Sequence, residues 1–257
     1  MKKGSLTVVG SGIKFMSHLT IEAKNCIEKS EKILFLVNEP AMKEWLIKCN
    51  PSSQSLENAY NSHTFRIDSY NEMTNTILHE LQKGQHVCVV LEGHPTVFAK
   101  PALDAVVEAK KKGYKAIILP GISAEDYLFA DIHIDPGSTG CQSYEATDFL
   151  IYRRSFDGCS HLILWQISVI GLLENKYKHD NNRGIQALVD YLSKCYDLQH
   201  EVILYEGSQY PHISSKITKI PLKDLPNTVI SRLTTLYIPP IRQPSCNINM
   251  LNKLELI

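Results

Sequence analysis

Apolar and polar positions along this chain follow two periods in turn. Short runs of apolar and β-branched residues at 5–9, 32–37, 86–91 and 116–119 each break off at Gly, Pro or Asn punctuation, the pattern of buried strands. Between them, 19–29, 40–48, 68–83 and 101–112 carry apolar residues at three- and four-residue spacing, which predicts helices packed on one face. Thr20 stands near the start of the first of these and Pro40 in the first turn of the second. Gly84 and Gly113 stop the third and fourth, and Ser123 is a good N-cap for a further short helix. Strands alternating with helices predict a mostly parallel sheet covered on both faces.

The pattern shifts near 134–140, Ile-Asp-Pro-Gly-Ser-Thr-Gly, which reads as a linker. Beyond it come a helix at 146–152, a strand at 161–167, a helix at 184–196 and a strand at 201–205. Residues 215–220 and 234–238 then read as strands with little helix between them, which predicts a mixed second sheet. Pro239-Pro240 closes that region, and the residues beyond it read as a loose tail. The expected division is an N-terminal α/β domain over 1–133, a C-terminal α/β domain over 134–245, and a tail over 246–257.

Composition narrows the classes. The 257 residues are 44% hydrophobic and 21% charged, in the range of globular enzymes, and the formal net charge is zero. Zero charge removes the electrostatic case for nucleic-acid or membrane-surface binding. No apolar run approaches the roughly 20 residues of a membrane span, and the amino-terminal residues lack a signal-peptide pattern. The seven cysteines show no CxxC or metal-site spacing and the ten histidines no HExxH, so no metal site is expected. Scattered reduced thiols predict a cytoplasmic protein.

Candidate chemistry concentrates where predicted strands end. The strand at 86–91 opens onto Glu92-Gly93-His94-Pro95-Thr96-Val97-Phe98, and the carboxyl edge of a parallel sheet is where ligands bind. Gly10-Ser11-Gly12 supplies two glycines of a dinucleotide fingerprint, but Phe15 occupies the third small position; no P-loop and no GxSxG elbow is present. Arg66 and Tyr70 stand four apart, on one face if the helix begins by Arg66. A guanidinium beside a phenol favours the phenolate, the form that takes a proton. The alternative is a surface Arg stacked on a Tyr. Pro120 to Glu125, Trp165-Gln166 and Thr234-Thr235-Leu236 are further strand ends, each equally readable as a plain cap.

In order, Val8-Val9-Gly10-Ser11-Gly12, Gly93 to Phe98, Leu119 to Glu125, Trp165-Gln166 and Thr234 to Leu236 resemble the tetrapyrrole (corrin/porphyrin) methylase superfamily. The Gly-His-Pro form, Ile122 to Asp131, Tyr144-Glu145-Ala146 and the Arg66…Tyr70 pair resemble a narrower branch, the borosin peptide α-N-methyltransferases. The resemblance implies two α/β domains with S-adenosylmethionine in the cleft between them, leaving as S-adenosylhomocysteine. It places donor contacts at Gly93, His94, Val97, Phe98, Ser123, Ala124, Gln166, Tyr205, Gly207 and Thr235. It makes Tyr70 the base, Arg66 its activator and Tyr60, on the preceding loop, a donor to the developing oxyanion. The family's tyrosine before Gly-His-Pro falls on Glu92, a departure; a carboxylate there can attract a sulfonium or pair with Arg66. The branch further implies a homodimer, or a heterotetramer with its precursor, gripping the peptide through a helical 50–83 region. Because 241–257 shows no apolar core peptide, the expected substrate is a separate precursor peptide. The rival expectations are a tetrapyrrole or other small-molecule methylase and a donor-binding scaffold without turnover.

Overall fold

The computed structural model describes residues 3–175 and 181–257. The chain forms two compact units. One comprises residues 1–131, 172–178 and 207–215; the other comprises 132–171, 179–206 and 216–257.

The first unit is built on five strands, β1 Ser5–Gly10, β2 Lys32–Leu36, β3 Gln54–Ser55, β4 His86–Leu91 and β5 Lys115–Ile118, in the order β3-β2-β4-β1-β5, all parallel. Alternate residues of the central strands go to opposite faces. Leu6, Val8, Leu34, Val87 and Val89 pack with Met73, Ile77 and Leu81 of α4 (Arg66–Gln82) and with Ala102, Ala105 and Ala109 of α5 (Lys100–Lys111). Val9, Ile33, Phe35, Cys88 and Val90 pack with Ala23 and Ile27 of α1 (Ile21–Glu28) and with Met42 and Leu46 of α2 (Pro40–Cys49). A sheet buried on both faces needs continuous apolar strands, which is why β1 and β4 are legible as such. Thr20 caps α1 by accepting from Ala23 N, and Gly84 and Gly113 follow their helices at positive φ. The unit also contains α3 (Ala59–Ser62) and α6 (Ala124–Ile132).

The second unit has five strands, β6 Cys141–Glu145, β7 His161–Trp165, β8 Glu201–Glu206, β9 Lys216–Pro221 and β10 Thr235–Ile238, in the order β6-β7-β10-β8-β9. Only β6 and β7 run parallel; the other pairings are antiparallel, so the sheet is mixed as expected. One face, with Leu162, Leu164, Leu204, Leu236 and Ile238, packs against α8 (Ala146–Ile151) and α9 (Asn182–Leu192).

Four expectations are corrected. Residues 50–65 are not helical throughout: Asn50 Oδ1 accepts from Ser52 N in an Asx turn after Pro51, and only Ala59–Ser62 coils before α4. The 134–140 linker contains a one-turn helix, α7 (Pro136–Thr139), capped by Asp135. The strand expected to reach Ile167 stops at Trp165, because Gln166 is left-handed with φ 59°. The tail carries α10 (Ile248–Lys253), capped by Asn247.

Gly10 is the tightest point of the parallel sheet. A Cβ there would lie 2.1 Å from Gly93 O and 2.9 Å from Pro95 Cδ. A Gly10→Ala variant is expected to lose about 3 kcal/mol or more of stability, because backbone rather than a movable side chain must give way. Urea unfolding measures it; a midpoint equal to wild type would show that the two loops separate freely.

Candidate functional site

Three loops meet at the carboxyl edge of the parallel sheet. Ser11 N donates to Leu91 O (2.8 Å), Gly93 N to Gly12 O (3.0 Å) and Leu119 N to Val8 O (2.9 Å). A Cβ on Gly121 would touch Gly10 Cα at 3.4 Å. Gly12 and Gly93 hold φ values of 69° and 71° and bridge to one another. The Gly-x-Gly pair therefore serves loop-to-loop contact, and this explains why no third glycine is needed at Phe15.

The 92–99 loop presents several of the expected donor positions. His94 Nδ1 accepts from Thr96 N (3.3 Å) and lies 2.9 Å from Thr96 Oγ1, which holds the ring against its own loop. Val97 and Phe98 are 41% and 50% exposed, unusual for apolar side chains on a well-packed sheet edge. Phe98 is held at φ 52°, where a bulky residue costs roughly 1–3 kcal/mol. Beside this loop, Ser123 and Asp126 form a reciprocal cap. Ser123 N donates to Asp126 Oδ2 (2.7 Å) and Asp126 N to Ser123 Oγ (3.0 Å), which places Ala124 at the first position of α6.

α4 begins at Arg66, so Arg66 and Tyr70 are one turn apart. Tyr60, on α3 rather than a loop, meets Tyr70 edge-to-face, ring centroids 6.3 Å apart at 74°. Its phenol is pushed up by burial first, then by Tyr70 and a hydrogen bond to it; Arg66 opposes these. Tyr60 thus keeps its proton. Both rings are half-buried against the sheet core. The Thr74 hydroxyl, one turn beyond Tyr70, lies between Tyr70 O (2.9 Å) and Pro101 O (3.1 Å) on α5, the helix that follows the 92–99 loop.

Glu92 is engaged away from Arg66. Its Oε2 accepts from Asn38 N (3.0 Å) and Asn38 Nδ2 (2.6 Å), and its Oε1 from Gln209 Nε2 (3.1 Å). Three neutral donors around one carboxylate satisfy it without a guanidinium. Gln209 belongs to the 207–215 segment, which also carries Gly207. That segment is fastened at two more points: Phe15 N donates to Gln209 O (2.8 Å), and Tyr210 Oη to Glu39 Oε1 (2.9 Å). The bond to Glu39 raises the Tyr210 phenol. Asn38, Glu39, Gln209 and Tyr210 carry no signal in the sequence, because each acts through a partner far along the chain.

In the second unit, Tyr205 on β8 and Thr235 on β10 are directly paired and buried. Gln166 follows β7 at the same sheet edge, in the register that pairs Leu236 with Leu164. Thr234 Oγ1 donates to Glu206 Oε1 (2.7 Å), and Trp165 Nε1 to Ser143 Oγ (2.6 Å). These bonds fix the strand ends on either side of Gln166 and Thr235. Among the described residues no group of three or more His, Cys, Asp or Glu side chains converges as a metal site, and no helix is long and apolar enough to cross a membrane.

Residues 5–235 match the family model described as Tetrapyrrole (Corrin/Porphyrin) Methylases. The chain is 38% identical over 258 residues to the methyltransferase/ribosomally synthesized cyclic peptide gymnopeptides precursor of Gymnopus fusipes, covering 99% of this chain and 61% of that protein. It is 36% identical to the corresponding omphalotin A precursor of Omphalotus olearius (100% and 62% covered). It is also 36% identical to the type I borosin cyclic peptide precursor of Coprinopsis marcescibilis (97% and 65% covered). The chain thus spans about three fifths of the length of the curated relatives it matches. Among solved structures, the uroporphyrin-III-C-methyltransferase of Thermus thermophilus superposes with a TM-score of 0.67 at 14% identity, covering 99% of this chain and 97% of that one. Cobalt precorrin-4 methyltransferase superposes with a TM-score of 0.64 at 15% identity, covering 91% and 94%. These two establish the likeness of fold.

The Glu92 contacts lead to a measurable outcome. In Glu92→Ala, the amide hydrogens of 208–211 are expected to exchange about tenfold faster or more, since a hydrogen bond to a charged group contributes about 1.5–3 kcal/mol. Native-state hydrogen exchange reads this directly. Unchanged rates would mean that the Phe15 and Glu39 bonds hold the segment by themselves.

Proposed function

Because the chain belongs to the tetrapyrrole (corrin/porphyrin) methylase family, we propose that it is an S-adenosylmethionine-dependent methyltransferase whose substrate is the backbone amide of a peptide. The observation that carries the reading is the contact between Tyr60 of α3 and Tyr70 in the first turns of α4, the helix that Arg66 begins. The names of the relatives join a methyltransferase to a cyclic peptide precursor, and this supports a peptide as the acceptor.

The residues present fit the donor by their chemistry. A nucleoside with an amino-acid arm needs hydrogen-bond donors and acceptors together with an apolar wall. His94, Gln166, Thr235 and the backbone at Ala124 offer the former, and Val97 and Phe98 the latter. Gly93, Ser123, Tyr205 and Gly207 complete the proposed contacts. When bound, the sulfonium supplies an electrophilic methyl group and departs as the thioether S-adenosylhomocysteine.

The protein's part is to make an amide nitrogen nucleophilic. Its lone pair is delocalised into the carbonyl, so the N–H proton must leave as the N–C bond forms. Tyr70 is assigned as the group that takes that proton. Tyr60, which keeps its proton, is assigned as the donor to the oxygen that becomes negative on the substrate amide. Arg66 supplies positive charge within one helical turn, for the phenolate and for the charge that develops on the substrate carbonyl. Glu92 is assigned an indirect part: through Asn38 and Gln209 it joins the end of β4 to the segment bearing Gly207. The acceptor is proposed to be a separate precursor peptide, bound by a homodimer or in a heterotetramer.

Purified protein incubated with donor and candidate precursor peptides tests this by intact mass. Mass gain in steps of one methyl, located by fragmentation to backbone nitrogens, is the expected result. Tyr70→Phe and Arg66→Ala should each slow it by about 10²-fold or more. Methylation of the chain itself would refute a separate acceptor. Methylation of a tetrapyrrole but no peptide, or donor binding with no product, would replace the peptide reading.

A further inference from the structure

We propose that Ser69 and Asn175 are positioning residues for the tyrosine pair, with the Asn175 amide and the Ser69 hydroxyl forming a relay that locks the Tyr60 helix against the Tyr70 helix. The inference rests on the assignment of Tyr60 and Tyr70 made above.

The need for such a lock is visible locally. Tyr60 sits on a four-residue helix with no side-chain cap, far shorter than a helix that holds itself together. Tyr70 sits near the start of α4, whose N-cap, Phe65, also offers no side-chain acceptor. The first amide of that start, and the chain leading into it, are met from outside. Arg66 N donates to Leu173 O (3.2 Å), Asn175 N donates to Thr64 O (2.8 Å), and Phe65 pairs with Glu174 as an antiparallel bridge. A segment about a hundred residues downstream thus serves as the cap that the local sequence lacks.

Ser69 sits inside this junction with no exposed surface. A serine within a helix usually returns its hydroxyl to the carbonyl one turn back. That carbonyl, Phe65 O, is 3.5 Å away, whereas Ala59 O lies at 3.0 Å, so the hydroxyl proton crosses to the other helix, to the residue next to Tyr60. The Ser69 oxygen is then free to accept, and Asn175 Nδ2 donates to it at 2.7 Å. The second proton of the same amide goes to His63 O at 2.8 Å, on the link between the helices. The residues flanking Ser69 and Ala59 on the chain are the two phenols themselves.

The choice of an amide is informative. Among the described residues Asn175 Oδ1 is buried with no partner, while both amide protons are used. The side chain is therefore retained for its two donated protons, which a carboxylate lacks. Asp at this position would set an acceptor against His63 O and draw the Ser69 hydroxyl proton away from Ala59 O.

The test compares Ser69→Ala, which raises helix propensity, with the near-isosteric Asn175→Asp. Three readouts are taken: kcat on a methylated peptide, KM for the donor, and the alkaline tyrosinate absorbance, with a Tyr60→Phe variant identifying the Tyr60 component. Both variants should lower kcat by about 10²-fold, as expected for misplaced reacting groups, with donor KM unchanged. Tyr60 should ionise at lower pH than in wild type, and the Ser69→Ala/Asn175→Asp double variant should be no worse than either single one. Unchanged kcat and tyrosinate absorbance in a wild type that turns over would overturn the proposal. So would equal loss of kcat and donor binding, or lowered thermal stability with the Tyr60 titration unmoved, in either variant. If no peptide is methylated by the wild type, a shifted Tyr60 titration still supports the lock while the assigned chemistry fails.

Discussion

At the carboxyl edge of the parallel sheet, the backbone after β1 lies directly against the backbone after β4, with no room for a side chain between them. Gly10 is there because Gly93 O occupies the place of its Cβ, and Gly12 and Gly93 are there because the bridge between the loops needs left-handed backbone. The consequences spread outward. With the two loops fixed on one another, the chain after Gly93 must leave at one angle, which sets His94 and Phe98 and delivers Ala99, buried, to the start of α5. Gly121, packed on Gly10, brings the Ser123 cap of α6 to the same edge. A motif that invites comparison with dinucleotide binding is here a packing device.

A second layer of order comes from polar groups that join distant segments. Glu92 gathers Asn38 and Gln209; Glu39 both caps α2 and receives Tyr210; Asn175 reaches Ser69 and His63. Each ties one segment to another through partly or fully buried hydrogen bonds, and such bonds specify one arrangement better than apolar contact does. They explain how short, weakly capped elements such as α3 persist within the first unit.

The legibility of the chain follows the same division. β4 is readable over its full observed length, 86–91, because a strand buried on both faces must be apolar throughout. The apolar pattern starts α4 two residues late, since Arg66 and Ile67 bring neither a cap nor a buried residue to it. β6, Cys-Gln-Ser-Tyr-Glu, escapes the pattern as an edge strand of mixed polarity, and the turn at Gln166 hides within an apolar run. The Arg66–Tyr70 spacing is plain in the sequence, but the Tyr60–Tyr70 contact is not, because it depends on where a single helical turn settles. The partners of Glu92 are out of reach for the same reason: Asn38 and Gln209 are 54 and 117 residues away.

The junction around Ser69 also has a place in time. Both tyrosines leave the ribosome early, yet the segment that meets the start of α4 arrives with Leu173 to Asn175, about a hundred residues later. At the usual pace of synthesis, that is an interval of roughly 5–20 s. Through it the parallel sheet can assemble, because β1 through β5 precede residue 119. The tyrosine pair, by contrast, waits on a segment made after the second unit has begun. The nascent chain therefore gains its scaffold before its chemistry, and a half-made product holds the two phenols without the clasp that aligns them.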